Sequence, residues 1–299
     1  MIESIPIRYV EPVFRPPSEA QSLILPVTDG CSWNQCTFCE MYTAPQKAFR
    51  ARSEDEVVDS IRRVAERYGD QVRRVFLADG DALVLPTRRL LAILEAIRRH
   101  LPAVRRISSY CLPRNLRKKP AAEVRALASA GLSLVYVGAE SGDDTVLARV
   151  HKGETFDSTR AALDLLGEAG IRRSVMILNG LGGAAFSDAH ADASARLANV
   201  TQPEYLATLV VSFPQGEARF RADFPEWAPL DQAGLFAEMA RFVSQLELTR
   251  TVFRSDHASN WLVLKGTLGA DKARLLAQIE AARTAPERAG LRPDWARGL

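Results

Sequence analysis

An α/β fold of repeated strand–helix units, forming an open or partial TIM-like barrel, is what this 299-residue chain predicts. Two observations carry that expectation. Short β-rich apolar runs alternate with longer amphipathic segments along the whole chain, and glycines stand where one segment gives way to the next. The apolar runs are Leu23 to Val27, Val75 to Ala78, Ile107 to Tyr110, Leu132 to Gly138, Val175 to Leu178 and Leu206 to Val211. Each reads as a strand buried on both faces, as parallel strands are. Strand, loop, helix, tight glycine, strand is the pattern of βα repeats, and six such units are visible.

The helices follow from their own signals. Ser53 and Glu56 form a capping box ahead of Val57, Val58, Ile61 and Val64, which share one helical face. Thr87 is expected to cap the next helix, whose apolar face is Leu90, Leu91, Leu94 and Ile97. Gly131 follows a helix over Ala121 to Ala130, and Gly170 follows one ending near Ala169; both suit a left-handed C-terminal cap. Leu248 to Phe253 predicts one further strand, and Asp271 to Ala282 a last helix carrying Leu275, Leu276 and Ile279.

Composition narrows the function classes. The chain is 47% hydrophobic and 25% charged, an ordinary globular balance that needs no disorder or fibrous repeat to explain it. No linker rich in Gly, Ser or Pro divides it, and one domain with short appendages is expected. With 39 basic and 36 acidic residues the net charge is only +3, which lacks the electrostatic footprint of a dedicated nucleic-acid binder. The densest basic run, Arg114, Arg117, Lys118 and Lys119, reads either as a solvated loop or as an anion-binding rim. No stretch approaches the roughly 20 apolar residues of a membrane helix. The start, Met1 to Pro6, lacks the basic and apolar regions of a signal peptide, so a cytoplasmic location is expected.

Three of the four cysteines fall within nine residues, as Cys31-Ser32-Trp33-Asn34-Gln35-Cys36-Thr37-Phe38-Cys39. Such clustering suggests metal rather than disulfides. The C-x4-C-x2-C segment follows the first strand and therefore occupies the first βα loop. Three thiolates on one loop can bind three irons of a cubane and leave the fourth open. A structural zinc would need a fourth ligand from Cys111 or one of four histidines, none of them local. An electron-transfer cluster normally takes four cysteines. Buried thiols without metal are the remaining reading.

With Phe38 just before the last cysteine, this segment resembles the signature of the radical S-adenosylmethionine (SAM) superfamily, C-x3-C-x2-C, with one residue more between Cys31 and Cys36. The resemblance runs from about Ser22 to Ala282. It implies a partial (β/α)6 TIM-like barrel of the radical SAM type over residues 22–247. An N-terminal extension, 1–21, would precede it, and a C-terminal extension, 248–299, would close the barrel mouth. It also implies a single [4Fe-4S] cluster on Cys31, Cys36 and Cys39, SAM as cofactor, and an external one-electron donor of flavodoxin or ferredoxin type.

Further motifs extend the likeness, particularly to small uncharacterised proteins resembling coproporphyrinogen oxidases. Ala78-Asp79-Gly80-Asp81 stands where the family often has Gly-Gly-Glu, so Asp79, Gly80 and Asp81 are expected to hold the SAM amino group. Gly138-Ala139-Glu140-Ser141-Gly142, followed by Lys152-Gly153, resembles a family stretch whose Glu140 and Ser141 would contact ribose or the amino-acid portion. The turn Ile177-Leu178-Asn179-Gly180-Leu181-Gly182-Gly183 would place Ile177, Asn179 and Leu181 near adenine, and Phe38 would also line the cofactor. Its glycines miss the dinucleotide-binding spacing.

Catalytic candidates are Tyr110 and Cys111 at the third strand end, and His257 in Phe253-Arg254-Ser255-Asp256-His257-Ala258-Ser259-Asn260. His257 and Asn260 have an alternative reading as caps or as partners of buried backbone. Four cysteines leave no second four-cysteine cluster, and the stretch before Ser22 is shorter than a cobalamin domain. The expected activity is reductive cleavage of SAM to a 5′-deoxyadenosyl radical that abstracts hydrogen from a substrate, most simply a small molecule. A non-catalytic iron–sulfur sensor or haem carrier is the alternative.

Overall fold

The computed structural model describes residues 5–297. They group into two compact units, the first up to Asn34 with Met41–Val137 and Leu165–Arg172, the second Gln35–Glu40, Gly138–Asp164 and Arg173 onward.

The first unit carries β1 (Leu23–Pro26), β2 (Thr28–Asp29), β3 (Arg50–Ala51), α1 (Glu54–Tyr68), β4 (Arg74–Ala78), α2 (Thr87–His100), β5 (Arg106–Tyr110), α3 (Ala121–Ser129) and most of β6 (Leu132–Glu140). β1, β4, β5 and β6 are parallel neighbours in that order, with Leu25 beside Leu77 and Leu77 beside Ser109. β2 and β3 make a separate antiparallel clasp. There the Asp29 carboxylate accepts from Arg50 Nη2 at 2.9 Å and Arg52 Nη2 at 2.7 Å.

α1 forms as the sequence predicts. Ser53 Oγ accepts from Glu56 N at 3.1 Å, and Glu56 Oε2 accepts from Ser53 N at 2.7 Å. Val57, Ile61 and Val64 are buried, as are Leu90, Ile93, Leu94 and Ile97 of α2. Thr87 is not the cap of α2. Pro86 precedes the helix and Thr87 begins it, its hydroxyl donating to Glu123 of α3. Gly131 (φ 112°) and Gly170 (φ 80°) take the left-handed conformation expected of them.

The second unit carries α4 (Asp144–Arg149), most of α5 (Phe156–Glu168) and of β7 (Arg172–Asn179), α6 (Gly183–Thr201), β8 (Tyr205–Val210), α7 (Ala218–Asp223), α8 (Gln232–Gln245), β9 (Val252–Ser255), β10 (Leu264–Thr267) and α9 (Lys272–Thr284). β7, β8 and β9 are parallel neighbours, and β10 adds an antiparallel edge. α8 packs against both α6 and α9.

The strand expected at Leu248 to Phe253 begins only at Val252. Leu248 is buried, and the Thr251 hydroxyl donates to Pro203 O at 2.7 Å. β10 shows no sequence signal, because of its four residues only Leu264 is buried. α4 and α7, six residues each, are too short to display a helical period. Among the described residues no helix is long and apolar enough to cross a membrane.

Candidate functional site

In the first unit the chain leaves β1 and β2 through Gly30 (φ 70°), the residue before Cys31. The turn after β4 lies directly on this loop. A Cβ at Gly80 (φ 53°) would strike the Gly30 carbonyl, and one at Gly30 the Lys47 carbonyl. Glycine is thus required twice, for conformation and for close approach.

Asp81 is wholly buried. Its carboxylate accepts from Ser32 N (2.8 Å), Ser32 Oγ (2.5 Å) and Asn115 Nδ2 (2.9 Å). Burial pushes the Asp81 carboxyl upward, and the Ser32 and Asn115 donors counter it. Asp79 pairs with the fully buried Lys47 ammonium, and also accepts from Tyr42 Oη (3.2 Å) and Gly80 N (3.1 Å). Its carboxyl is raised by burial, opposed first by Lys47. Both aspartates therefore engage the protein itself and hold the loop carrying Cys31. Trp33, two residues beyond Cys31, lies under the Arg114 guanidinium, 3.5 Å from the ring centroid.

Tyr110 meets Phe76 edge-on at 5.1 Å. Cys111 is 2% exposed and its thiol donates to Leu112 O at 3.4 Å. The thiol is thus buried.

The second unit holds the other half of the cysteine loop. Thr37 N donates to Val150 O at 3.1 Å, Arg219 Nη1 to Cys39 O at 2.9 Å, and Gln215 N to Glu40 Oε2 at 3.0 Å. Phe38 packs against a cluster of Val146, Val150, Leu181, Phe220, Phe224 and Trp227. Leu181 thus belongs to an apolar core, as does the 2%-exposed Ile177.

Glu140 ends β6 in the left-handed region, φ 65°, and pairs with Lys152 Nζ at 2.9 Å. That ammonium lies 5.9 Å from the Phe38 ring centroid. Burial alone would lower the Lys152 pKa, but the charges of Glu140 and of Cys36 raise it above the ordinary lysine value. Gly142 approaches α6 so closely that a Cβ would strike the Ala193 carbonyl. Ser141 Oγ lies 2.8 Å from His190 Nδ1 and accepts from Asp143 N at 2.9 Å.

At the end of β7, Asn179 is 3% exposed and its Oδ1 has no hydrogen-bond partner. Next to it Gly180 N donates to Glu238 Oε1 at 2.7 Å, and Glu238 Oε2 accepts from Ser187 Oγ at 2.7 Å. Burial lowers the His190 pKa, with Glu238 acting in the opposite sense.

The His257 block is tied up structurally. Asn260 Nδ2 donates to Thr208 O (2.9 Å), Asn260 Oδ1 accepts from Val210 N (2.9 Å), and His257 Nδ1 accepts from Ser259 N (3.2 Å). Burial, then Arg292, lowers the His257 pKa. Among the described residues no three His, Cys, Asp or Glu are gathered as a ready-made metal cage. Lys47, Tyr42, Asn115, His190 and Glu238 escaped the sequence reading because each acts from a turn or helix remote from the motif it serves.

A profile of the Radical SAM superfamily matches residues 25–196, more than half the chain. No curated protein matches. Among solved structures, methylornithine synthase (PylB) is similar at TM-score 0.54 and 14% identity, over 91% of this chain and 74% of that one. Coproporphyrinogen III oxidase (HemN) from Escherichia coli, described as a radical SAM enzyme, reaches 0.55 at 16% identity, over 75% and 52%. The radical SAM methyltransferase TsrM from Kitasatospora setae, solved with cobalamin and a [4Fe-4S] cluster, reaches 0.50 at 21% identity, over 62% of this chain and 36% of its own length. At such identities the likeness is one of fold, and it is the α/β fold the sequence implies.

Proposed function

Because the chain belongs to the radical SAM superfamily, we propose that it is an enzyme that cleaves SAM reductively at one [4Fe-4S] cluster held by Cys31, Cys36 and Cys39. The observation carrying this reading is the anchored cysteine loop inside a matched family segment, with a buried unpartnered acceptor, Asn179 Oδ1, in the same segment. Three thiolates without a fourth local ligand suit a cubane that keeps one iron for SAM. Cys31, Cys36 and Cys39 would hold the cluster, and its binding would order them, as metal sites commonly order their ligands.

When bound, these groups supply a 5′-deoxyadenosyl radical that takes a hydrogen atom from substrate. The chain's own residues bind, orient and exclude water. Asp81 holds Ser32 and so sets the approach of Cys31, while Asp79 with Lys47 fixes the turn beneath it. Arg219 and Val150 hold the Cys36–Cys39 segment. Phe38 and its aromatic neighbours keep water from that segment. Asn179 Oδ1 accepts from an N–H or O–H of SAM. Glu140 and Lys152 present opposite charges to its ammonium and carboxylate. Ser141, bonded to His190, orients the backbone after Glu140. Tyr110, Cys111 and His257 receive no chemical step: the Tyr110 ring packs on Phe76, the Cys111 thiol donates to Leu112 O, and His257 Nδ1 accepts from Ser259 N. The substrate is a small molecule, and the electron comes from a separate one-electron donor.

Anaerobic reconstitution with iron and sulfide, followed by SAM and dithionite, tests this reading. 5′-Deoxyadenosine is expected by chromatography from the wild-type protein, and none from Cys31→Ala, Cys36→Ala or Cys39→Ala. A Cys36→Ala protein that still holds a full complement of iron refutes the ligand assignment. Zinc binding without cluster formation refutes the function.

A further inference from the structure

The turn Arg114-Asn115-Leu116-Arg117-Lys118-Lys119 carries four cations and no acid in a chain whose net charge is only +3. The structure fastens it to the cysteine loop. Asn115 Nδ2 donates to Asp81 Oδ2 at 2.9 Å, and the same carboxylate holds Ser32 through both its N–H and its hydroxyl. Asn115 also braces its own turn, accepting from Leu112 N at 2.7 Å. Arg114 stacks on Trp33. Lys119 points inward and donates to Leu85 O at 2.7 Å, whereas Arg117 and Lys118 stand exposed.

We infer that this turn, with Arg114, Arg117 and Lys118, is the docking surface for an acidic one-electron donor protein. The inference rests on the cluster reading above. In the step concerned the donor loses one electron and the cluster gains it; no bond forms or breaks and no proton moves. Electron-transfer encounters are small and transient, so a few well-placed charges govern them. Charge complementarity acts mainly on the association rate and is screened over about 8 Å at physiological ionic strength. A nucleic acid is the weaker occupant, since four cations neutralise too few phosphates for tight binding.

The test uses the reconstituted full chain and, as probe, a reduced flavodoxin of strongly negative net charge. Cluster reduction is followed anaerobically by loss of visible absorbance in a stopped-flow instrument, at low and at high salt. Lys118→Glu and Arg117→Glu are each expected to lower the second-order rate about tenfold at low salt. High salt should close the gap to wild type, and reduction by dithionite, which needs no docking face, should be unchanged. Lys118→Gln should fall between Lys118→Glu and wild type.

Wild-type rates in both charge-reversed proteins overturn the inference, as does a defect that persists equally at high salt. Loss of binding to a short RNA with an unchanged reduction rate assigns the turn to nucleic acid instead. If dithionite fails to reduce even the wild-type protein, the cluster reading falls first and this one with it.

Discussion

The two units handle buried charge in opposite ways. In the first, Asp79 is matched by Lys47 and Asp81 is surrounded by neutral donors from Ser32 and Asn115, so both carboxylates are occupied within the fold. In the second, the Asn179 carbonyl oxygen has no partner, and the Glu140–Lys152 pair stands beside Phe38 with Cys36 and Cys39 contributing to its field. In the first unit the two aspartates go to rigid support of the turn. The other retains a buried acceptor without a partner and a buried charge pair, which the proposed function assigns to SAM. Acidic residues at strand ends can thus look equivalent in sequence and serve different ends.

The largest effect expected from this contrast is at Lys47. Lys47→Met leaves a buried carboxylate without its cation and should destabilise the chain by about 3–5 kcal/mol in denaturant unfolding. Lys47→Met combined with Asp79→Asn should recover much of that loss. A single variant within about 1 kcal/mol of wild type would show that the pair does not support the fold.

Next comes Asp81→Ala, which frees Ser32 and is expected to cut iron incorporation per chain severalfold. If instead iron is retained and only SAM affinity by calorimetry declines, Asp81 touches the cofactor directly and the contrast between the units breaks down. Asn179→Leu should do the reverse: full iron content, with SAM binding weakened about tenfold, the equivalent of roughly 1.4 kcal/mol. Unchanged SAM affinity would remove Asn179 from the site.

His190 offers a pH test in the second unit. Burial holds its pKa below the usual value near 6.5, so the unfolded chain binds the proton more readily than the folded one. Its contribution is therefore complete above about pH 6.5 and is lost as pH falls through the depressed folded value. His190→Gln should flatten that part of a plot of melting temperature against pH. The same slope in the variant would assign the effect to other groups.

The smallest effect lies at Glu56, whose pKa is lowered to about 2, first by the Ser53 backbone donor and then by Arg50. Stability from this cap is complete above about 4.5 and disappears as pH falls through about 2. The site is solvent-screened, so Glu56→Gln should cost only about 0.5 kcal/mol at neutral pH.

How much of this was legible depended on distance along the chain. The C-x4-C-x2-C loop, the capping box of α1 and the glycines at 131 and 170 are local signals and were readable in order. Strand ends such as Asp81 and Glu140 were located correctly, because buried parallel strands leave continuous apolar runs. Their partners were not legible. Lys47, Asn115 and Glu238 lie 32, 34 and 58 residues from Asp79, Asp81 and Gly180, and no periodicity joins a turn to a carboxylate that far away. Of the two readings of Asn260, the one as a partner of buried backbone is the one the structure shows: its amide completes the end of β8.

The unpartnered oxygen of Asn179 also bears on which molecules this protein refuses. A dry amide carbonyl tolerates a visitor that brings a hydrogen to share and disfavours one that offers only carbon at the same point. The difference is worth about 1–3 kcal/mol. On the proposed function, a SAM analogue alkylated at the nitrogen that would face Asn179 keeps the same bulk and charge elsewhere, and is expected to bind about tenfold or more weakly.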